Sequence, residues 1–207
     1  MANTEKVKEV ILAIAEVIAE KKLYLTQLDA AIGDGDHGLN MNKGFQAAKE
    51  KLETATLETP ADILKAVGMA LISKVGGAAG PLYGTAFLNA SKIVAGKEEV
   101  DLNDFKDMLE AALEGVKSRG KAVVGEKTMV DAIEPALEAL KKAVAEGAST
   151  REAMDMAVKA AEEGVAYTKT IIAKKGRASY LGERSIGHED PGAMSSYVIL
   201  KTIAEKF

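Results

Sequence analysis

Three aspartates lie close together in the segment DAAIGDGDHG, at positions 29, 34 and 36 of the chain. Carboxylates held so near one another repel unless a cation lies between them. Carboxylate oxygens suit hard ions such as Mg²⁺ or Ca²⁺, and the spacing does not fit an EF-hand loop. Because Mg²⁺ bound by few carboxylates usually completes its coordination with water and phosphate oxygens, Asp29, Asp34 and Asp36 predict a phosphorylated ligand, most simply a nucleotide. The alternative is an exposed acidic turn that caps the next helix.

Two further connections fit the same ligand. The segment GGAAGP (76–81) places small residues before a helix, where free backbone N–H groups and the helix dipole favour a phosphate. Asp190-Pro191-Gly192 has the form of an N-cap followed by proline at the first helical position, and a plain cap is its alternative interpretation. The preceding loop contains Arg177 and Arg184, whose guanidinium groups suit phosphate recognition if the loop faces the aspartates.

Two apparent nucleotide motifs are accidental. GDGDHG (33–38) matches the dinucleotide fingerprint in its letters, but the residues before it, 23–32, look helical, and the fingerprint requires a preceding strand. GVKSRGK (115–121) resembles a P-loop, yet Ala122 stands where a Ser or Thr would bind Mg²⁺.

The elements that must position these residues are all helical. Ala, Leu, Glu and Lys dominate, aromatic residues make up 4%, and we find no convincing strand. Apolar residues recur at helical spacing in eight segments, so the fold class is all-α. The predicted helices cover residues 5–20, 39–53, 61–75, 81–95, 102–118, 128–145, 150–174 and 191–206.

Most of the 19 glycines fall in or beside the connections that follow the first, third, fifth and seventh helices. If consecutive helices run antiparallel, as short connections favour, these four connections lie at the same end of the bundle. Isolated glycines such as Gly115 are explained as well by helix termini. Four clusters at one end and none at the other predict a ligand site at one rim.

Composition excludes several classes of function. The chain has 207 residues, which suits a single domain spanning 1–207. It has no cysteine, which excludes disulfides, thiolate metal sites and cysteine nucleophiles. A net charge of −4 argues against nucleic-acid binding. No segment resembles a signal peptide or a membrane span, so we expect a soluble, cytoplasmic protein with no membrane partner.

Four segments together carry a resemblance to a known family: 29–45, 76–87, 125–137 and 176–196. They are similar to the L subunits of dihydroxyacetone kinase, which bind the nucleotide and are homologous to the C-terminal domain of single-chain dihydroxyacetone kinases. The resemblance extends over essentially the whole chain. It implies an eight-helix antiparallel barrel with the nucleotide at one rim.

The resemblance also implies roles for individual residues. Asp29, Asp34 and Asp36 match ligands for a pair of Mg²⁺ ions, and Arg177 matches a phosphate-side arginine. We expect Arg177 to neutralise the transferring phosphoryl group. The chain departs from the family at Leu39, where Thr is expected, and at Ala79, where Ser is expected. The positions that match nucleotide contacts are His37, Gly38, Leu39, Asn40, Ala78, Ala79, Gly120, Met129, Arg177, Asp190, Pro191 and Gly192.

The family implies a phosphoryl relay. A phosphohistidine protein of the phosphotransferase system phosphorylates bound ADP, and the resulting ATP phosphorylates dihydroxyacetone held on a separate K subunit. Three alternatives remain open at this point. The chain could serve an ATP-dependent dihydroxyacetone or triose kinase, resemble the L-type domain of fatty-acid kinases, or report kinase state to a transcriptional regulator.

Overall fold

The computed structural model describes all residues, 1–207, and is built almost entirely from helices. The expected all-α fold is confirmed, with the addition of one pair of two-residue antiparallel strands in which Ala2 lies opposite Val100. The elements are β1 (Ala2–Asn3), α1 (Thr4–Ile32), α2 (His37–Thr54), α3 (Pro60–Lys74), α4 (Ala79–Ile93), β2 (Glu99–Val100), α5 (Leu102–Gly120), α6 (Val130–Ala145), α7 (Thr150–Thr168), a 3-10 helix (Arg177–Ser185) and α8 (Pro191–Lys206).

The eight α-helices form a closed ring. Each helix packs against the next along the chain, and α8 packs back against α1, which closes the barrel. One continuous apolar core fills most of the interior, with Ile14, Phe45 and Leu140 wholly buried. An apolar cavity of about 140 Å³ remains inside the barrel. None of the helices combines the length and the hydropathy needed to cross a bilayer.

Two predicted helix boundaries are wrong. The first helix does not end at residue 20 but continues to Ile32, so that Asp29 lies in its last turn. The seventh helix ends at Thr168 rather than at residue 174, because the Thr168 carbonyl accepts a hydrogen bond from the Lys127 ammonium. The Thr168 hydroxyl in turn donates to the Val165 carbonyl. The chain then turns into the 3-10 helix, which the sequence analysis did not predict.

The helix starts differ between the two ends of the barrel. At one end, α3, α5 and α7 each begin with a complete capping box, built on Thr59, Asp101 and Ser149. At the other end, the N-cap residues of α2, α4 and α6 (Asp36, Ala78 and Met129) make no side-chain cap, and only α8 is capped, by Asp190. The first N–H groups of a helix need partners from outside the helix, so the starts of α2 and α4 at this second end are available to a ligand.

Candidate functional site

The connections after α1, α3, α5 and α7 meet at the end of the barrel where α2 and α4 begin, and they enclose a cleft of about 470 Å³. This is the convergence that the distribution of glycines predicts. The residues that line the cleft come from all four connections: Asp29, Ile32, Gly33, Asp34, Asp36, His37, Asn40, Gly76, Gly77, Ala78, Ala79, Leu82, Tyr83, Val116, Gly120, Ala122, Lys127, Thr128, Met129, Val130, Lys175, Gly176, Arg177, Ala178, Asp190, Pro191 and Gly192.

The three aspartates converge on one side of the cleft. Each offers a carboxylate oxygen, and these oxygens all lie within 4.8 Å of one another. Asp29 is largely buried, and its Oδ2 accepts hydrogen bonds from the backbone N–H groups of Asp36 (2.9 Å) and His37 (3.1 Å). Those bonds fold the connection back on α1 and aim Asp36 toward Asp29. A set of three hard oxygen donors with partial solvent access fits a divalent cation such as Mg²⁺.

Arg177 reaches the aspartates from the opposite side of the cleft. Its Nε lies 3.0 Å from Oδ2 of Asp34, and its side chain is 70% exposed. The residue stands at the start of the 3-10 helix, directly after Gly176, whose φ of +62° turns the chain. The guanidinium is therefore placed beside the acidic cluster while remaining accessible to a phosphate group.

The floor of the cleft is a buried hydroxyl network. His37 Nε2 lies 2.8 Å from Ser195 Oγ, and Tyr83 Oη lies 2.7 Å from the same oxygen and 2.8 Å from Ser196 Oγ. Burial lowers the pKa of His37, and the carboxylates of Asp29 and Asp36 offset this only in part. The imidazole is therefore neutral near pH 7 and can hold a fixed hydrogen bond without adding charge.

The predicted site residues line this cleft with two exceptions, Gly38 and Leu39. Gly38 is buried against the backbone of α1, where an added Cβ would lie 1.9 Å from the Lys22 carbonyl oxygen. Leu39 is 50% exposed on the outer side of α2. Close packing of α2 against α1 therefore explains why residue 38 is a glycine, and the side chain of Leu39 does not line the cleft.

Asp190 caps α8, as the sequence predicts. Its Oδ2 accepts a hydrogen bond of 2.7 Å from the Ala193 N–H, and Pro191 follows at the start of the helix. Burial raises the pKa of Asp190 to about 7, and the nearby Asp131 carboxylate adds to the rise. The cap therefore changes charge close to neutral pH.

Sequence reasoning missed two buried charged residues beside the cleft, Lys127 and Asp131. Lys127 is 1% exposed, and its Nζ donates to the Thr168 carbonyl at 2.5 Å. Asp131 is fully buried and accepts the backbone N–H groups of Gly125 (2.6 Å) and Thr128 (2.8 Å). The signal was present in the segment GEKTMVD (125–131), where a lysine and an aspartate lie four residues apart in a glycine-initiated turn.

Comparisons with known proteins identify the family of the chain. Residues 31–205 match the model of the DAK2 domain. The chain is 45% identical over 190 residues to the ADP-binding subunit DhaL of PEP-dependent dihydroxyacetone kinase 1 from Listeria innocua, covering 92% of this chain and 90% of that one. It is 44% identical to the ADP-binding subunit DhaL of the PTS-dependent dihydroxyacetone kinase from Lactococcus lactis, covering 92% and 91%.

The fold is also similar to a solved kinase structure. The dihydroxyacetone kinase from C. freundii, solved in complex with AMP-PNP and Mg²⁺, superposes with a TM-score of 0.75 at 25% identity. All of this chain is covered, but it spans only 34% of that kinase. From the domain match and from relatives of nearly equal length, the chain belongs to the DAK2 domain family, together with the ADP-binding subunits of dihydroxyacetone kinases.

Proposed function

We propose that this chain is the nucleotide-binding subunit of a multi-subunit dihydroxyacetone kinase. ADP occupies the cleft, a phosphohistidine protein of the phosphotransferase system is the phosphate donor, and dihydroxyacetone on a K subunit is the acceptor. The proposal includes a single domain over residues 1–207 and a cytoplasmic location. The observation that carries it is the pairing of two uncapped helix starts, those of α2 and α4, with three converging carboxylates.

Asp29, Asp34 and Asp36 would hold the Mg²⁺ ions, a pair of them in this proposal. Their oxygen donors and their spacing within 4.8 Å suit this ion, and Asp29 is already fixed by two backbone hydrogen bonds. When bound, Mg²⁺ would neutralise the charge on the phosphate oxygens during phosphoryl transfer.

The chain's own residues bind and orient the nucleotide. In this proposal the free backbone N–H groups at the starts of α2 (Gly38, Leu39) and α4 (Ala78, Ala79) bind the phosphates. His37 and Asn40, whose N–H groups already bond Asp29 and Asp36, contact the nucleotide through their side chains. Gly120, the last residue of α5, and Met129, just before α6, are placed beside the base in this proposal. The remaining contacts come from the connection before α8, through Arg177 and the residues Asp190, Pro191 and Gly192.

Arg177 is the proposed catalytic residue. Its guanidinium stands beside Asp34 and remains exposed at the mouth of the cleft. Phosphoryl transfer depends mainly on positioning and on neutralising charge, and a guanidinium in this place provides both for the transferring group. Gly38 and Leu39 contribute, in this proposal, only through their backbone at the start of α2.

The first test is the nucleotide content of the purified chain. The chain is prepared without added nucleotide, dialysed with or without EDTA, then denatured, and the released nucleotide is quantified by chromatography. We expect ADP close to one per chain after dialysis alone, and its loss after EDTA, because the carboxylates hold the phosphates through the metal. An empty chain that binds no nucleotide even with Mg²⁺ supplied would refute the proposal.

An ATP-dependent kinase is the second candidate. One observation favours it, since the similar C. freundii kinase was solved with the ATP analogue AMP-PNP. The two candidates differ in whether the bound nucleotide exchanges with free ATP. If labelled ATP replaces the bound nucleotide within one turnover, ATP is a free cosubstrate, whereas ADP that stays bound during turnover supports the relay. A regulatory role toward a transcription factor has no support in the relatives' names.

A further inference from the structure

Lys127 carries a buried ammonium group between the connections that form the cleft. Lysine is almost never fully buried unless its charge is paired, yet only 1% of this residue is exposed. Its Nζ donates to three main-chain carbonyls: those of Thr168 at 2.5 Å, of Ile171 at 3.4 Å and of His188. The three N–H donors of the ammonium are therefore matched by three acceptors.

The three carbonyls lie at the two ends of one loop. Thr168 and Ile171 stand where the chain leaves α7, and His188 stands just before α8 begins. Two more hydrogen bonds close the same loop: the Asp190 N–H donates to Thr168 Oγ1 at 2.9 Å, and the Gly187 N–H donates to the Lys169 carbonyl at 2.8 Å. The two ends of loop 169–190 are thus both hydrogen-bonded to one ammonium group.

This loop carries the part of the cleft that faces the acidic cluster. Arg177 extends from it toward Asp34, and it ends in the Asp190-Pro191-Gly192 segment that lines the cleft. Lys127 itself belongs to the connection between α5 and α6, which supplies Met129. One buried group therefore joins two of the four connections that build the site.

The backbone at Lys127 is held in an unfavourable conformation. Its φ is +61°, in the left-handed region that residues other than glycine rarely adopt. The Asp131 carboxylate holds this turn in place, because it accepts the N–H groups of Gly125 and Thr128 on either side of Lys127. Backbone strain of this kind persists where the surrounding structure enforces it, and it clusters at functional sites. Burial lowers the pKa of Lys127, and the nearby carboxyl groups of Asp190 and Asp131 offset this in part.

We propose that Lys127 is a positioning residue, whose buried ammonium fixes loop 169–190 against the connection between α5 and α6 and thereby holds Arg177 and Asp190–Gly192 at the cleft. The inference rests on the proposed nucleotide-binding function of that cleft. Lys127 acts through the loop, in the way that a bound cation caged by carbonyl oxygens would act. It is distinct from the residues proposed to hold the metal and from Arg177.

The test compares two variants of the full chain. Lys127→Met keeps most of the side-chain volume and removes the ammonium. Leu52→Ala serves as control, because Leu52 is fully buried in α2 near the opposite end of the barrel and its truncation lowers stability without touching the loop. Backbone hydrogen exchange is followed by mass spectrometry well below both melting temperatures, and Mg²⁺–ADP binding is measured by calorimetry.

In Lys127→Met we expect exchange in residues 169–190 to accelerate about tenfold or more, because the three bonds from the ammonium to the ends of the loop are gone, while exchange in α2 and α3 stays unchanged. The affinity for Mg²⁺–ADP should fall about tenfold, since the cleft is no longer pre-organised. Leu52→Ala should leave both quantities at their wild-type values despite its lower melting temperature. Wild-type exchange in the loop of Lys127→Met, or equal changes in both variants, would overturn the proposal.

A second variant covers the case in which Lys127→Met does not fold. Thr168→Val removes the hydroxyl that accepts the Asp190 N–H and leaves the carbonyl that Lys127 binds. If Lys127 is the main anchor, this variant should change loop exchange less than threefold or so, on the scale of the single hydrogen bond that the loop loses; loss of all loop protection would contradict that role. Absence of ADP binding in the wild-type chain would refute the proposed function, whereas the exchange experiment tests the anchoring role separately.

Discussion

Arg177 Nε lies 3.0 Å from Oδ2 of Asp34, and this ion pair joins the connection before α2 to the connection before α8 across the mouth of the cleft. The two side chains are 70% and 37% exposed, so the pair contributes little to stability. Its value lies in placement, because it brings a cation with five N–H donors to the edge of the carboxylate cluster. A guanidinium held this loosely can move from a carboxylate to a phosphate without a large energetic penalty.

Replacing Arg177 by methionine should slow phosphoryl transfer without affecting folding. We expect the transfer rate in the reconstituted kinase to fall roughly 1,000-fold or more, since an arginine that neutralises a transferring phosphoryl group contributes on this scale. The melting temperature should not change, because the pair is exposed. Single-turnover transfer and thermal unfolding are measured on the same preparation.

Arg184→Met is the matched control for this variant. Arg184 is an exposed arginine of the same loop but does not line the cleft. It should keep the wild-type transfer rate. Equal losses in the two variants would mean that the charge of the loop, rather than the position of Arg177, supports the reaction.

Asp34→Asn should weaken the binding of Mg²⁺ and ADP together. Hydrogen bonds and contacts to charged groups contribute about 1.5–3 kcal/mol, so we expect at least about a tenfold loss of Mg²⁺-dependent ADP affinity. Without Mg²⁺ the variant should be as stable as the wild type, because removing one of three crowded carboxylates relieves repulsion. Calorimetry with and without the metal checks both points, with the exposed Asp155→Asn as control. Full metal and ADP affinity in Asp34→Asn would remove this residue from the proposed ligand set.

The helices and their convergence could be predicted from the sequence because both depend on local signals. Apolar periodicity identifies each helix, and the alternation of glycine-rich and short polar connections assigns the two ends of the barrel. The C-terminal helix begins at Pro191 as expected, since an aspartate followed by proline is a local signal for the start of a helix. The end of α7 was missed because it depends on the Lys127 ammonium, which is 41 residues away in the chain.

The function of individual glycines was harder to predict. Gly44 and Gly84 belong to the glycine clusters but lie inside helices, where a Cβ would approach Val75 Cγ2 and Ile72 Cγ1 to 2.1 and 2.3 Å. They allow helices to pack closely and do not shape the cleft. Sequence spacing cannot separate these uses, because close packing and sharp turns both select for the absence of a side chain.

Ala79→Ser should strengthen nucleotide binding, whereas Leu39→Thr should not. Both changes restore the residue expected from the family, but only Ala79 lines the cleft. A hydroxyl at the start of α4 adds one hydrogen bond to a phosphate, and at about 0.5–1.5 kcal/mol this corresponds to a gain of roughly 2- to 10-fold in affinity. Leu39 is exposed outside the cleft, so its replacement should leave the ADP dissociation constant within about twofold, as for other surface substitutions. A gain from Leu39→Thr would show that α2 rotates toward the nucleotide on binding.

The cap residue Asp190 should make the stability of the chain fall as pH rises from about 4 to about 7. Burial raises the pKa of this carboxyl in the folded chain to about 7, against an ordinary value of 3.8. Between these values the folded state keeps a proton that the unfolded state has released, so the unfolding free energy decreases with pH and levels off above the folded-state pKa.

Asp190→Asn isolates this effect. An asparagine oxygen can still accept the Ala193 N–H as a helix cap, and it does not titrate. We expect the variant to be more stable than the wild type above pH 7, with a difference on the order of 2–4 kcal/mol that shrinks to near zero at pH 4. Urea unfolding of both chains in metal-free buffer at several pH values measures the difference. If the two curves ran parallel, the Asp190 carboxylate would already be charged in the folded chain, held in that form by the nearby Lys127 ammonium.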